Sequence, residues 1–206
     1  MGGGASRTLP AMQNKYRPDP NANANPMRYG AVAIALHWLL ALAIIGALGL
    51  GLYMSDLPFS PSRLKLYNWH KWAGVSILLL SALRLLWRLT HRPPADLPMP
   101  ALQARAAHIT HGLLYVLFFA TPLAGWAYSS AAGFPIVWFG VLPLPDFVPV
   151  DKALAASLKL AHQWLAYGLA AMILAHLGGA LKHHFIDRDG LLGRMLPFQQ
   201  KRTPIP

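Results

Sequence analysis

From Ala31 to Ser55 the chain carries no charged side chain. As a helix, a run of that length crosses a bilayer core of about 30 Å. Three more charge-poor runs follow, so the chain is constrained to a membrane bundle. The four spans are expected at roughly Ala31–Met54, Asn68–Thr90, Ala107–Ser129 and Leu158–His184. A chain that is 55% hydrophobic and 12% charged fits this reading. The fold class is therefore all-α, a transmembrane four-helix bundle forming one domain over residues 28–197.

The flanking segments differ in kind. Residues 1–27 are rich in Gly, Asn, Pro and Ala and read as a disordered tail. No apolar stretch precedes residue 31, so the tail is not expected to be a cleaved secretory signal. Residues 198–206 form a short C-terminal tail. Pro122 lies inside the third span and is expected to kink its second half. Arg84 and Arg88 close the second span and can snorkel to the interface. The linker from Pro135 to Pro149 is expected to hold a short interfacial helix, with Phe134, Trp138, Phe139 and Phe147 as anchors.

The net charge of +11 follows the spans and forms no separate basic domain, which argues for membrane lipid as the partner and against nucleic acid. Thirteen Lys and Arg lie on the tail, the second loop and the C-terminus, against five on the other two loops. Both termini are therefore expected in the cytoplasm. The chain has no cysteine, which excludes disulfides, cysteine-held iron–sulfur clusters and covalently attached haem.

Within this frame the histidines carry the chemistry. His162 and His176 are fourteen residues apart on one span. Fourteen helical residues turn through about 1400° and rise about 21 Å, so both rings share a stripe at two depths. Topology gives each a partner: His70 near the outer side for His162, and His37 near the inner side for His176. A lone membrane histidine serves equally as a packing residue or a proton carrier. Four that pair by depth suggest two stacked metal centres. Zinc usually takes four ligands, often including cysteine or carboxylate. Two imidazoles per depth suit six-coordinate haem iron, which points to electron transfer. Gly74, one turn after His70, would let a flat macrocycle approach the backbone. Near the inner side, His108, His111, His183 and His184 have the chemistry to bond quinone carbonyls and supply protons, or simply to meet lipid head groups. Lys71, Lys152, Lys159, Arg63 and Lys65 make the outer face basic, as ordinary solvated charge or to steer a small anion.

Several motifs carry a family resemblance: Ala35-Leu36-His37-Trp38-Leu39, Asn68-Trp69-His70-Lys71-Trp72-Ala73-Gly74, Ala107-His108-Ile109-Thr110-His111-Gly112, His162, His176 and His183-His184, and Leu191-Leu192-Gly193-Arg194. With these the chain resembles the bacterial cytochrome b561 family of four-helix, di-haem, quinone-linked inner-membrane proteins. The resemblance implies two haem b groups with His37, His70, His162 and His176 as axial ligands to iron, and ubiquinone near His111 and His183. It implies a membrane oxidoreductase that oxidises superoxide at the outer face and reduces ubiquinone. The alternatives are a cytochrome subunit serving a partner dehydrogenase or hydrogenase, and a non-redox metal or proton transporter.

Overall fold

The computed structural model describes residues 28–197. The two expected tails, 1–27 and 198–206, lie outside the described residues. Four helices form: α1 (Ala31–Ser55), α2 (Pro61–Thr90), α3 (Ala101–Ala131) and α4 (Lys152–Lys182). Each is long and apolar enough to cross a membrane. A π-helical turn at His183–Asp187 and a 3-10 turn at Leu192–Arg194 follow α4.

Helices α2, α3 and α4 each start six or seven residues before the expected spans, and in α2 and α4 a side-chain cap sets the new start. Pro61 sits in the first turn of α2, and Ser60 Oγ accepts from Arg63 N at 3.2 Å. Asp151 Oδ1 accepts from Leu154 N at 2.7 Å and starts α4. The added turns carry charge, such as Arg63 and Lys65 on α2, and extend the helices beyond the apolar layer.

The expected interfacial helix after α3 does not form. Strands β1 (Val137–Trp138) and β2 (Leu142–Pro143) pair there as a small antiparallel hairpin. Phe139 and Gly140 both adopt left-handed conformations, φ 51° and 74°, and reverse the chain. Pro135, Pro143, Pro145 and Pro149 remove amide donors that a helix would need. The hairpin rests on α2: Trp72 Nε1 donates to Val137 O at 2.7 Å and Trp138 Nε1 to Ser76 Oγ at 3.4 Å. Phe134, Phe139 and Phe147 are exposed, while Trp138 packs inward.

Leu40, Ile44, Ile77, Leu114 and Leu169 form the buried core at mid-depth. Outward-facing Leu42 and Leu174 are 65% and 68% exposed, so the bundle's outside is as apolar as its centre. Helix α3 packs most closely on α4, α1 on α2, and α2 on α3. Neither α1 and α4 nor α2 and α4 pack closely along their backbones. Those are the helix pairs that carry the paired histidines.

Candidate functional site

His70 on α2 and His162 on α4 face each other with ring centroids 6.0 Å apart. Two features of α3 place His162. Its Nδ1 lies 2.9 Å from Thr121 O. A carbonyl only accepts, so Nδ1 carries the proton, and the neutral ring keeps the Nε2 lone pair free. One turn along α3, Gly125 leaves the space the ring occupies: a Cβ there would sit 2.9 Å from His162 Cε1. His70 lies against α1, with its buried Nδ1 lacking a hydrogen-bond partner among the described residues. A Cβ on Gly51 would lie 3.1 Å from His70 Cε1. Each ring of this pair thus packs against a glycine of a neighbouring helix, and His162 is also held by a carbonyl.

An apolar cavity opens between the two rings, lined by Ile44, Leu48, Phe118 and Leu169 among others. Gly74 lines it as well, and a Cβ there would only touch Pro122 at 4.0 Å. The glycines that matter most for ring placement, Gly51 and Gly125, were not legible in the sequence. They belong to helices remote in the chain from the histidines they accommodate.

Deeper in the bundle, His37 on α1 and His176 on α4 lie 6.2 Å apart between ring centroids. His111 joins them from α3, 5.2 Å from His176, yet remains exposed on the bundle surface. Trp38 packs edge-on against His37 at 5.5 Å, and its Nε1 donates to Met195 O at 2.8 Å. Arg84 Nη1 donates to Ala33 O at 3.3 Å, in the first turn of α1 and one turn before His37, so the side chain reaches across to the inner end of that helix.

Both ring pairs suit an axial bis-imidazole site. Metal–imidazole bonds of about 2 Å, plus about 1 Å from each nitrogen to its ring centre, separate two trans-ligating centroids by roughly 6 Å. The observed 6.0 and 6.2 Å match this, whereas the 5.2 Å between His111 and His176 is too short. The loose packing of α4 against α1 and α2 leaves room for a flat ring between the helices.

His183 stands apart from this cluster. It is buried at the end of α4, with Nδ1 2.5 Å from Asp189 Oδ2 and Nε2 3.0 Å from Gln103 Nε2. Gln103 Nε2 also donates to Asp187 Oδ2 at 3.0 Å, which fixes the amide's orientation and makes His183 Nε2 an acceptor. Both ring nitrogens are therefore engaged. Lys182 Nζ pairs with Asp187 Oδ1 at 2.9 Å. Burial opposes ionisation of Asp189, but the Leu191 amide and His183 outweigh it and hold the carboxyl below its ordinary value. Sequence reading missed Gln103, Asp187 and Asp189. The left-handed turn at Arg188 and Gly190 brings Asp189 back to His183, and the Asp189-Gly190 pair is its signal in the chain.

His108 pairs with exposed Asp96 at 3.7 Å. His91 stacks on Trp87 at 3.6 Å, outside the bundle core. On the outer side, Lys71 Nζ donates to Phe134 O at 3.2 Å and Pro135 O at 3.4 Å, while Lys152 and Lys159 line an open groove beside Tyr128.

A family profile described as prokaryotic cytochrome b561 matches residues 28–198. Cytochrome b561 homolog 2 of Escherichia coli is 38% identical over 176 residues, covering 83% of this chain and 92% of that protein. Cytochrome b561 homolog 1 of the same organism is 32% identical, covering 82% and 97%. The probable superoxide oxidase CybB of Yersinia pestis is 31% identical, covering 82% and 96%.

Proposed function

The chain belongs to the prokaryotic cytochrome b561 family of haem b electron-transfer proteins in the bacterial inner membrane, and on that premise we propose that it is a superoxide:ubiquinone oxidoreductase with two haem b groups. His70 and His162 hold one group and His37 and His176 the other. The observation that carries this reading is the pair of ring separations, 6.0 and 6.2 Å, at two depths on either side of an apolar core. When bound, the two haems supply one-electron carriers that bridge the membrane.

The protein's own groups do the rest. Thr121 fixes the His162 tautomer and leaves Nε2 for iron. Lys152 and Lys159, free of the carbonyls that engage Lys71, draw an anion to the outer end. Two superoxide anions each give up one electron and leave as dioxygen. Ubiquinone takes both electrons, with two protons, at the inner end. His111 is exposed to the lipid side while touching His176, which suits a lipid-soluble quinone. His183 lies between Asp189 and Gln103, a polar cluster from which protons can be drawn. Both termini lie in the cytoplasm in this arrangement. The superoxide assignment is also supported by the similarity to the probable superoxide oxidase of Yersinia pestis.

A reduced-minus-oxidised spectrum with haem extraction tests the cofactor: two haems per chain are expected, and none would refute the reading. Replacing His162 or His176 singly should remove about one haem of the two, and retention of both would sink the pairing. Purified protein should reduce ubiquinone when given superoxide. Haem without that activity would favour a cytochrome subunit fed by a partner enzyme.

A further inference from the structure

Arg84 is a membrane-embedded charge that the proposed path leaves without a role. It lies fourteen residues after His70 on α2, the same spacing that separates His162 from His176 on α4. The two helices therefore present matching stripes: a histidine on each at the outer depth, then Arg84 on α2 and His176 on α4 at the inner depth. The guanidinium is half-buried and tied to Ala33 O, one turn before His37. His37, His176 and His111 gather at that end of the bundle. Among the described residues no carboxylate pairs with it, and the chain holds no glutamate. Arg88, one turn on, is exposed.

The cations nearest the outer pair along the chain, Lys71 and Lys159, are placed differently, and Lys159 is exposed. Lys71, adjacent to His70, is turned to the carbonyls of Phe134 and Pro135. An unneutralised arginine in a membrane span is costly and generally functional.

We propose that Arg84 makes the inner haem site the higher-potential one and so sets electron flow from the outer pair to the inner pair. The proposal rests on the two-haem reading above. In that step the outer group loses one electron and the inner group gains it, with no proton moved. The electron adds one negative charge beside a fixed positive one, and the attraction is strong where water is excluded. The outer group is about 21 Å of helical rise away and feels far less of that charge.

Potentiometric titration of the purified, haem-loaded full chain, followed in the visible band, tests this. Arg84→Gln should lower the higher midpoint potential by about tenfold in the reduction constant, which is 59 mV for one electron. The lower midpoint should stay in place. Arg84→Lys should keep most of the wild-type value. Ala33→Glu, which sets a carboxylate beside the intact guanidinium, should reproduce the Arg84→Gln shift and decides the matter if Arg84→Gln loses the inner haem. Two retained haems with an unmoved higher midpoint in the decisive variant would overturn the proposal. So would a shift confined to the lower midpoint, or an equal drop in Arg84→Lys. A wild-type protein with fewer than two haems would instead overturn the two-haem reading, before any variant is compared.

Discussion

A valine at position 125 would force its Cβ to within about 3 Å of the His162 ring, closer than such atoms approach. The ring cannot retreat without giving up its bond to Thr121 O. Gly125→Val is therefore expected to displace His162 and leave about one haem per chain, measured by pyridine haemochrome. Gly51→Val should lower the haem count less, since the Cβ would lie 3.1 Å from a His70 ring that no Nδ1 hydrogen bond holds in place. Gly49→Ala is the control. Its Cβ would meet nothing within 4 Å, so both haems should stay, and helix α1 should gain up to ~1 kcal/mol in propensity. The histidines were legible because imidazole in an apolar run is rare and its spacing can be counted. Their glycine and carbonyl supports were not, since Gly51, Thr121 and Gly125 look like ordinary membrane-helix residues until helices α1 and α3 lie beside α2 and α4.

At the scale of elements, caps and turns decide what hydropathy cannot. Asp151 holds the first turn of α4 and its amide bonds Ala131 O at the end of α3. Asp151→Ala should cost about 1 kcal/mol and lower the thermal midpoint by about 2–4 °C, checked by scanning calorimetry in detergent. The turn after α4 should be sensitive to acid. Asp189 has a folded-state pKa below its ordinary value, so its contribution is present above the unfolded carboxylate value and is lost as pH falls through the folded one. The Leu191 amide, bonded to Asp189 Oδ1 at 2.9 Å, should lose protection from hydrogen exchange in that acid range once intrinsic rates are corrected. Asp189→Asn should remove this pH dependence. The hairpin in place of the expected interfacial helix reflects the same scale: proline spacing and two left-handed residues outweigh the apolar content of the segment.

For the whole molecule, the charge distribution leads to the expectation that both termini are cytoplasmic. The chain lacks cysteine, so single cysteines report topology without background. Phe139→Cys on the hairpin should react with a membrane-impermeant maleimide in intact cells. Phe185→Cys beyond α4 should react only after lysis, and the reverse pattern would refute cytoplasmic termini. The same arrangement puts the basic groove of Lys152 and Lys159 outside and the His183–Asp189 cluster inside. An anion donor and a proton-requiring acceptor would then meet opposite faces of one bundle.

The number of spans, the membrane as solvent and the histidine stripe at two depths were determined by the sequence alone, because hydropathy and helical period are properties of local residues. Tertiary structure decided which imidazoles stand about 6 Å apart, that His111 joins the inner pair and that His183 is engaged by Asp189 and Gln103. It also decided that Arg84 reaches across to α1. Those outcomes depend on how far apart the helices stand, and that distance is set by glycines, carbonyls and packing across elements that no single segment encodes.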